Sequence, residues 1–404
     1  MRHGLLPTLL LLSALATGCT GPGGGLPGSA GVLPADRAEA AARWTKRPVV
    51  LPFNEFLRER MSFYRHKVYA PRNARNYALL NTAMYDALRR ADGRVSGVAA
   101  AAEAAAAVIA HALPEEAAAA ARLAQEASDA YVLAGAATAS QATAGRALGA
   151  EVAAELIQRR RSDGAETYSP IPAVAALPVP SERHGGLWSH PVATEPEVRL
   201  WQPWGISGPS QFRLPEPPRP GSPTFEAELK EVEGIEATLT ASQKDAADRY
   251  ALTAPPSDWN KLAVECIELH KLDEVAAARV LAHWGRAEAD AAIACWDSKF
   301  WWFQIRPQAE LRRRNANTTW WPYLVTTPSH PSYPSGHSAF SGAAFAVLVR
   351  AFPDQRQKLE GFMTEMADSR IWGGIHFRAD VKDGLELGRQ VGGVHADAWA
   401  AEAK

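Results

Sequence analysis

The chain is short of cysteine, of long apolar runs and of charge of one sign. Three cysteines occur in 404 residues, at positions 19, 266 and 295, too few for a disulfide framework. Cys266 and Cys295 fall in helical patterns without His or Cys neighbours at metal-ligand spacing, which points to buried free thiols and away from zinc. Beyond the N-terminal region no stretch approaches the roughly 20 consecutive apolar residues that a membrane-spanning helix needs. With 43 Lys and Arg against 44 Asp and Glu the net charge is −1, so neither nucleic acid nor an anionic membrane surface is implied as the main partner. No run alternates apolar and polar residues as a half-buried strand does, and no repeat of roughly 20 to 50 residues is visible.

Hydrophobic residues make up 47% of the chain, enough for a sizeable core, and helical periodicity dominates. The spacing predicts helices over 53–69 and 72–90, the latter carrying Tyr77, Leu80, Met84 and Leu88 on one face. Alanine-rich stretches over 95–112 and 114–160 are strong helix formers. Helix is expected again over 224–239, over 241–251, and from about Leu272 to Lys299, with Val280, Trp284, Ala291 and Cys295 down one side. Between them, 167–223 shifts to Pro, Gly, Ser and Trp and reads as a long irregular surface loop. The fold class is all-α: one large helical bundle over 49–404, with an N-terminal half (49–240) packed on a catalytic half (241–404).

The first residues read as targeting sequence. Met1-Arg-His leads into an apolar run from Leu5 to Ala16 and then Ala16-Thr-Gly-Cys19, a bacterial lipoprotein box with Cys19 as the acylated residue. An ordinary signal peptide cleaved nearby is the rival reading. Residues 20–48 read as a flexible Gly/Pro-rich tether. Both readings export the protein. The lipoprotein box places it in the bacterial periplasm or on the outer face of the membrane, touching lipid through that anchor alone.

Three blocks carry the chemistry: Lys299-Phe-Trp-Trp-Phe-Gln-Ile-Arg306-Pro307, Pro334-Ser335-Gly336-His337, and Ser369-Arg370-Ile-Trp-Gly-Gly-Ile-His376-Phe-Arg-Ala-Asp380. If the first is helical, Lys299 and Arg306 lie about two turns apart on one face. The second reads as a helix start, where free N–H groups and the helix dipole favour anions. In the third, His376 and Asp380 are spaced for one helical face, so the carboxylate can fix the imidazole tautomer. Any one of these pieces alone has a plain structural reading, a helix cap or a core histidine. Their co-occurrence, in order, inside about 80 residues does not.

The three blocks resemble, position for position, the signature of the phosphatidic acid phosphatase type 2 and vanadium haloperoxidase superfamily: Lys-x6-Arg-Pro, Pro-Ser-Gly-His and Ser-Arg-x5-His-x3-Asp. The surroundings, including Asn76-Tyr-Ala-Leu-Leu-Asn-Thr-Ala-Met-Tyr-Asp-Ala87 and His330-Pro-Ser-Tyr-Pro-Ser-Gly-His337, are more similar to the haloperoxidase branch. The resemblance implies an oxyanion pocket formed by Lys299, Arg306, Ser335, Gly336, Arg370 and His376, with vanadate as cofactor and His376 as the vanadium ligand, oriented by Asp380. His337 would move protons when hydrogen peroxide is engaged, Lys299 would polarise the bound peroxide, and halide would be oxidised, with a small organic acceptor possible. A phosphatase would use the same pocket on phosphate monoesters, with His376 as nucleophile and His337 as the proton donor to the leaving alcohol. An exported oxyanion binder without turnover is a third reading, which needs neither His337 nor Asp380.

Two further positions are implied at the halide-facing wall, Trp296 and His330. Trp296 could equally be a core residue, and His330 could simply brace the loop before Pro331. A His there, where chloroperoxidases carry Phe and algal bromoperoxidases carry His, favours bromide over chloride. The six-residue spacing between Lys299 and Arg306 is the chloroperoxidase form. Homo-oligomerisation is left open.

Overall fold

Alanine sets the geometry of the first half. The computed structural model describes residues 41, 42, 44–65, 68–166 and 186–402. Its first helices are α1 (Val50–Phe63), α2 (Ala70–Arg90), α3 (Gly97–Ala112), α4 (Ala117–Leu133) and α5 (Ala139–Arg160). Ala100, Ala101, Ala102, Ala104 and Ala105 of α3 are fully buried, and with side chains this small neighbouring helices approach closely. At the tightest point a Cβ on Gly149 of α5 would lie 2.1 Å from the Ala100 carbonyl oxygen of α3, so only glycine fits.

Several boundaries differ from expectation. The stretch 114–160 is two helices, because Gly135 takes a left-handed conformation (φ 71°) and ends α4. Thr138 then starts α5 in a capping box with Gln141. Alanine propensity hides such a turn; the Thr-x-x-Gln signature marks it. The first helix spans 50–63 rather than 53–69. Packed structure also starts inside the expected tether: Ala41 and Trp44 are buried, and Trp44 meets the Phe53 ring at 6.0 Å. A large ring with a partner to bury against orders its segment. The signal over 1–19, Cys19 and residues 20–40 lie outside the described residues.

Residues 167–185 of the anticipated loop are also outside them, and 186–222 is irregular apart from a short 3-10 turn at Pro196–Leu200. Asp290 pins this segment: its carboxylate accepts from the backbone N–H groups of Trp204 (2.7 Å), Gly205 (2.8 Å) and Ile206 (3.1 Å), and from His395 Nε2 (2.9 Å).

The second half contains α6 (Pro223–Gly234), α7 (Ala241–Leu252), α8 (Pro255–Leu269), α9 (Glu274–Trp302), α10 (Pro307–Arg314), α11 (Gly336–Ala351), α12 (Arg356–Trp372) and α13 (Arg378–Ala401). The helical pattern around Cys266 is α8, for which the sequence gives no bounds; Pro255 and Pro256 occupy its first turn, where a missing N–H costs nothing. The 29-residue α9 is the central rod, capped by Asp273 and buried on almost every side from Ala277 to Phe300. It packs against α2 in front and α11 and α13 behind. The latter two touch backbone to backbone: a Cβ on Gly388 would sit 2.1 Å from the Ala339 carbonyl oxygen. Among the described residues there is no β-strand, and no helix is long and apolar enough to cross a membrane. Cys266 and Cys295 are buried free thiols, as expected.

Candidate active site

The three blocks converge on one buried volume, by routes the spacing alone does not give. Lys299 is carried by the last turns of α9, but that helix ends at Trp302 and Phe303 turns left-handed (φ 50°). Arg306 is then the extended N-cap of α10. The two cations therefore do not share a helical face, contrary to the expectation. Pro307 is the reason, since the residue before a proline is pushed out of the helical region. They reach the pocket from different walls.

The Lys299 ammonium donates to the carbonyls of Pro331 (2.8 Å), Ser332 (3.1 Å) and Pro334. Burial pulls its pKa down to about 7, while three carbonyl acceptors call for the three donors of the charged form. Arg306 spends its fork on four acceptors. Nε binds the His330 carbonyl (3.1 Å), Nη1 the Ile375 carbonyl (2.8 Å) and His376 Nε2 (3.0 Å), and Nη2 binds His330 Nδ1 (3.0 Å). Arg370, in the last turn of α12, donates to Ser369 Oγ (2.9 Å) and the Ala247 carbonyl (3.0 Å).

The second block is the helix start anticipated. Ser335 is the N-cap of α11, its Oγ accepting from the Ser338 N–H, and Gly336 is the first helical residue. A Cβ at Gly336 would lie in ordinary contact with the Trp296 ring, 3.6 Å away, which places Trp296 directly beside this helix start. His337 is half-buried and donates from Nε2 to the Tyr250 carbonyl (3.0 Å) at the end of α7, which leaves Nδ1 as its basic nitrogen. Burial, with Arg370 nearby, holds its pKa well below the usual histidine range.

His376 and Asp380 do meet, at 2.9 Å between Nδ1 and Oδ2, though not on a helical face. His376 precedes α13, whose N-cap is Phe377, and Asp380 in the first turn also accepts from the Phe377 N–H (3.0 Å). This is cap geometry. Because a guanidinium can only donate, Arg306 must meet a lone pair on His376 Nε2, so the proton sits on Nδ1, facing Asp380. Burial, with Arg306 and Lys299 adding to it, keeps His376 neutral. Asp380 is raised by burial to about 6, opposed chiefly by the Ser332 hydroxyl and the Phe377 N–H.

Trp296 and His330 stand side by side, ring centroids 5.2 Å apart, and Trp296 Nε1 reaches the Thr194 carbonyl (3.4 Å). His330 braces the site: its carbonyl and its Nδ1 hold Arg306. Burial and the neighbouring cations hold it neutral, so a charge change near neutral pH is not what this environment gives. Missing from the sequence reading were a role for Ser332, whose hydroxyl donates to Asp380 Oδ2, and the carbonyls of Pro331, Pro334, Ala247 and Tyr250; Ser369 stood in the third block without an assigned role. Ser332 lies three residues before Ser335, but backbone carbonyls leave no trace in residue type.

Charge gives the site its character. Lys299, Arg306 and Arg370 are buried, the three histidines are held neutral, burial keeps Cys295 a thiol by raising its pKa to about 11, and Asp380 is the one carboxylate among these groups. A buried surplus of positive charge is costly without a partner, and an oxyanion is the kind of group whose charge and acceptors would offset it.

Comparison with known proteins agrees with this geometry. Residues 287–396 match the model of the PAP2 superfamily. A non-specific acid phosphatase of Salmonella typhi is 41% identical over 63 residues, 16% of this chain. The match spans about a quarter (24%) of that enzyme's length. Among solved structures, a bacterial vanadium-dependent iodoperoxidase superposes with a TM-score of 0.71 at 21% identity, covering 86% of this chain and 95% of its own. A bacterial vanadium-dependent chloroperoxidase in its holo form gives 0.62 at 17%, covering 83% and 93%. At these identities the likeness is one of fold. Residues 287–396 thus carry the PAP2 superfamily pattern, and the chain as a whole shares the all-helical fold of the vanadium haloperoxidases.

Proposed function

We propose that the protein is a vanadium-dependent haloperoxidase that oxidises halide with hydrogen peroxide. The observation that carries this reading is a lone pair, His376 Nε2, aimed into a buried surplus of positive charge. Supporting it, the haloperoxidases match over most of their own length, including the long N-terminal half. The donor set fits vanadate: three cations and the α11 N-terminus to hold its oxygens, and one neutral imidazole to ligate the metal. When bound, vanadate supplies a Lewis-acid centre for peroxide activation. Around it, Asp380 keeps the His376 proton on Nδ1, Lys299 and Arg306 balance the oxyanion charge, and His337 Nδ1 takes the proton of incoming peroxide. Trp296 and His330 form the halide-facing wall. His330 retains an Nε2–H donor there, a polar feature that favours bromide and iodide over chloride, which is harder to oxidise.

The second reading is an exported acid phosphatase, favoured by the match to the Salmonella typhi enzyme. Here His376 Nε2 attacks phosphorus, a phosphohistidine forms, and His337 protonates the leaving alcohol. One experiment separates the two. Protein stripped of metal and phosphate is given orthovanadate and assayed for peroxide-dependent bromination of monochlorodimedone, in parallel with p-nitrophenyl phosphate hydrolysis. Bromination that requires vanadate supports the haloperoxidase. Hydrolysis that vanadate inhibits, without bromination, selects the phosphatase.

We also hold to the lipid anchor at Cys19, which places the enzyme at the outer face of the membrane with hydrogen peroxide, halide and any organic acceptor arriving from solution. Mass spectrometry of the mature N-terminus tests it: an unmodified start downstream of Cys19 overturns it.

A further inference from the structure

Ser332 was not among the motif positions, yet it is completely buried and every polar group it owns is committed to the site. Its N–H donates to the Gln304 carbonyl (2.9 Å), two residues before Arg306. Its carbonyl accepts from Lys299 Nζ (3.1 Å). Its hydroxyl donates to Asp380 Oδ2, the oxygen that also receives His376 Nδ1 (2.9 Å) and the Phe377 N–H (3.0 Å), and lies 3.5 Å from His376 Nδ1 itself. The other Asp380 oxygen, Oδ1, is buried without a protein partner. All three protein donors to that carboxylate therefore meet at Oδ2, and Ser332 is the one that comes from outside the α13 turn.

We propose that Ser332 is a positioning residue for oxyanion capture, joining the Lys299 wall to the His376–Asp380 pair so that His376 Nε2 and Lys299 Nζ address the same bound oxyanion. The physical argument is geometric. His376 and Asp380 belong to one tight turn and orient each other, but nothing within that turn fixes where the turn lies relative to α9. Arg306 holds the turn through the Ile375 carbonyl and His376 Nε2, and the Ser335 N–H through the Asp380 carbonyl (2.9 Å); the Ser332 hydroxyl is the link that reaches the carboxylate itself, while its carbonyl accepts from the Lys299 ammonium. A hydroxyl is suited to the task because it adds a hydrogen bond without adding charge to a pocket whose charge surplus is the binding device. Outer groups that orient a ligating residue typically change affinity by about 10- to 100-fold when removed.

The inference rests on the oxyanion pocket and holds for either member of the pair, vanadate or phosphate. Its test is isothermal titration of orthovanadate and, separately, of inorganic phosphate into Ser332→Ala, Asp380→Ala and the double variant, with the wild type as reference. The expected result is a loss of about 10-fold in affinity for Ser332→Ala, and little further loss from Ser332→Ala once Asp380 is already Ala, since a residue acting through another has nothing left to position. Ser332→Cys, nearly isosteric and a weaker donor, should fall between wild type and Ala, and it stands in if the alanine variant does not fold. Unchanged affinity in Ser332→Ala and Ser332→Cys, or equal additive losses in both Asp380 backgrounds, overturns the proposal while leaving the pocket intact. Failure of the wild type to bind either anion overturns the pocket reading itself.

Discussion

Two buried His–Asp pairs lie among the described residues, and they have the same length. His376 Nδ1 meets Asp380 at 2.9 Å, and His395 Nε2 meets Asp290 at 2.9 Å. The second is a staple: Asp290 gathers three backbone N–H groups of residues 204–206 as well, and His395 locks the segment against α13. The first is assigned chemistry in the proposed reading because the far nitrogen of its imidazole meets Arg306, close to Lys299. On that reading the same pair serves structure or chemistry according to what faces the second nitrogen of its imidazole.

The largest expected effect breaks that contrast directly. His376→Ala abolishes vanadate binding and all turnover, whereas His395→Ala keeps the affinity and lowers the melting temperature. Isothermal titration and thermal unfolding of the two variants check this; wild-type affinity in His376→Ala would remove the assignment. Next in size, His337→Ala retains vanadate affinity but loses most of its turnover, because in the proposed mechanism His337 moves protons and its hydrogen bond is to the Tyr250 carbonyl rather than to an anion-holding group. Titration beside a bromination assay separates the two quantities.

On the structural side, Asp290→Ala strands three backbone donors. Each unsatisfied buried group costs about 1–3 kcal/mol, so a loss of roughly 3 kcal/mol or more is expected in urea unfolding, with the anion pocket unaltered in kind. Replacing His395 alone should cost less, since the three backbone bonds survive.

The smallest effect concerns the wall. His330→Phe should shift the ratio of bromide to chloride oxidation toward chloride; an unchanged ratio leaves His330 as a brace only. The same variant has a stability signature. The folded-state pKa of His330 lies well below 6.5, so the unfolded chain takes up that proton first. Stability contributed by this residue is present above about pH 6.5 and is lost as pH falls below it. Relative to wild type, His330→Phe should therefore gain stability progressively as pH drops below about 6.5, and parallel urea midpoints at pH 7.5 and 5.5 measure it. A constant difference between the two proteins at both values contradicts a neutral, buried His330.

Much of the site is legible in residue order. Ser335-Gly336-His337 announces a helix start through its small polar N-cap, and the structure has that start. The His376–Asp380 partnership is also correct, but its geometry is a cap rather than a helical face, because the turn at Gly373-Gly374 delays α13 until Arg378. Lys299 and Arg306 mislead more: their spacing imitates two turns of helix, and only Pro307 hints that the helix stops. The break inside 114–160 was hidden by alanine, whose propensity is uniform on both sides of Gly135.

By itself the sequence determined which chemical groups are available and where local caps begin, since Ser, Thr, Asp and Pro act on backbone within three or four residues of themselves. It also determined that the body is helical, because periodicity and alanine content are local properties. Only the tertiary structure decided which carbonyls hold Lys299 and Arg370, that Ser332 faces Asp380, and that three cations share one buried volume with a single carboxylate. Those facts depend on segments up to 123 residues apart, as between Arg370 and the Ala247 carbonyl. They rest on backbone groups that every residue carries alike, so no residue type could announce them.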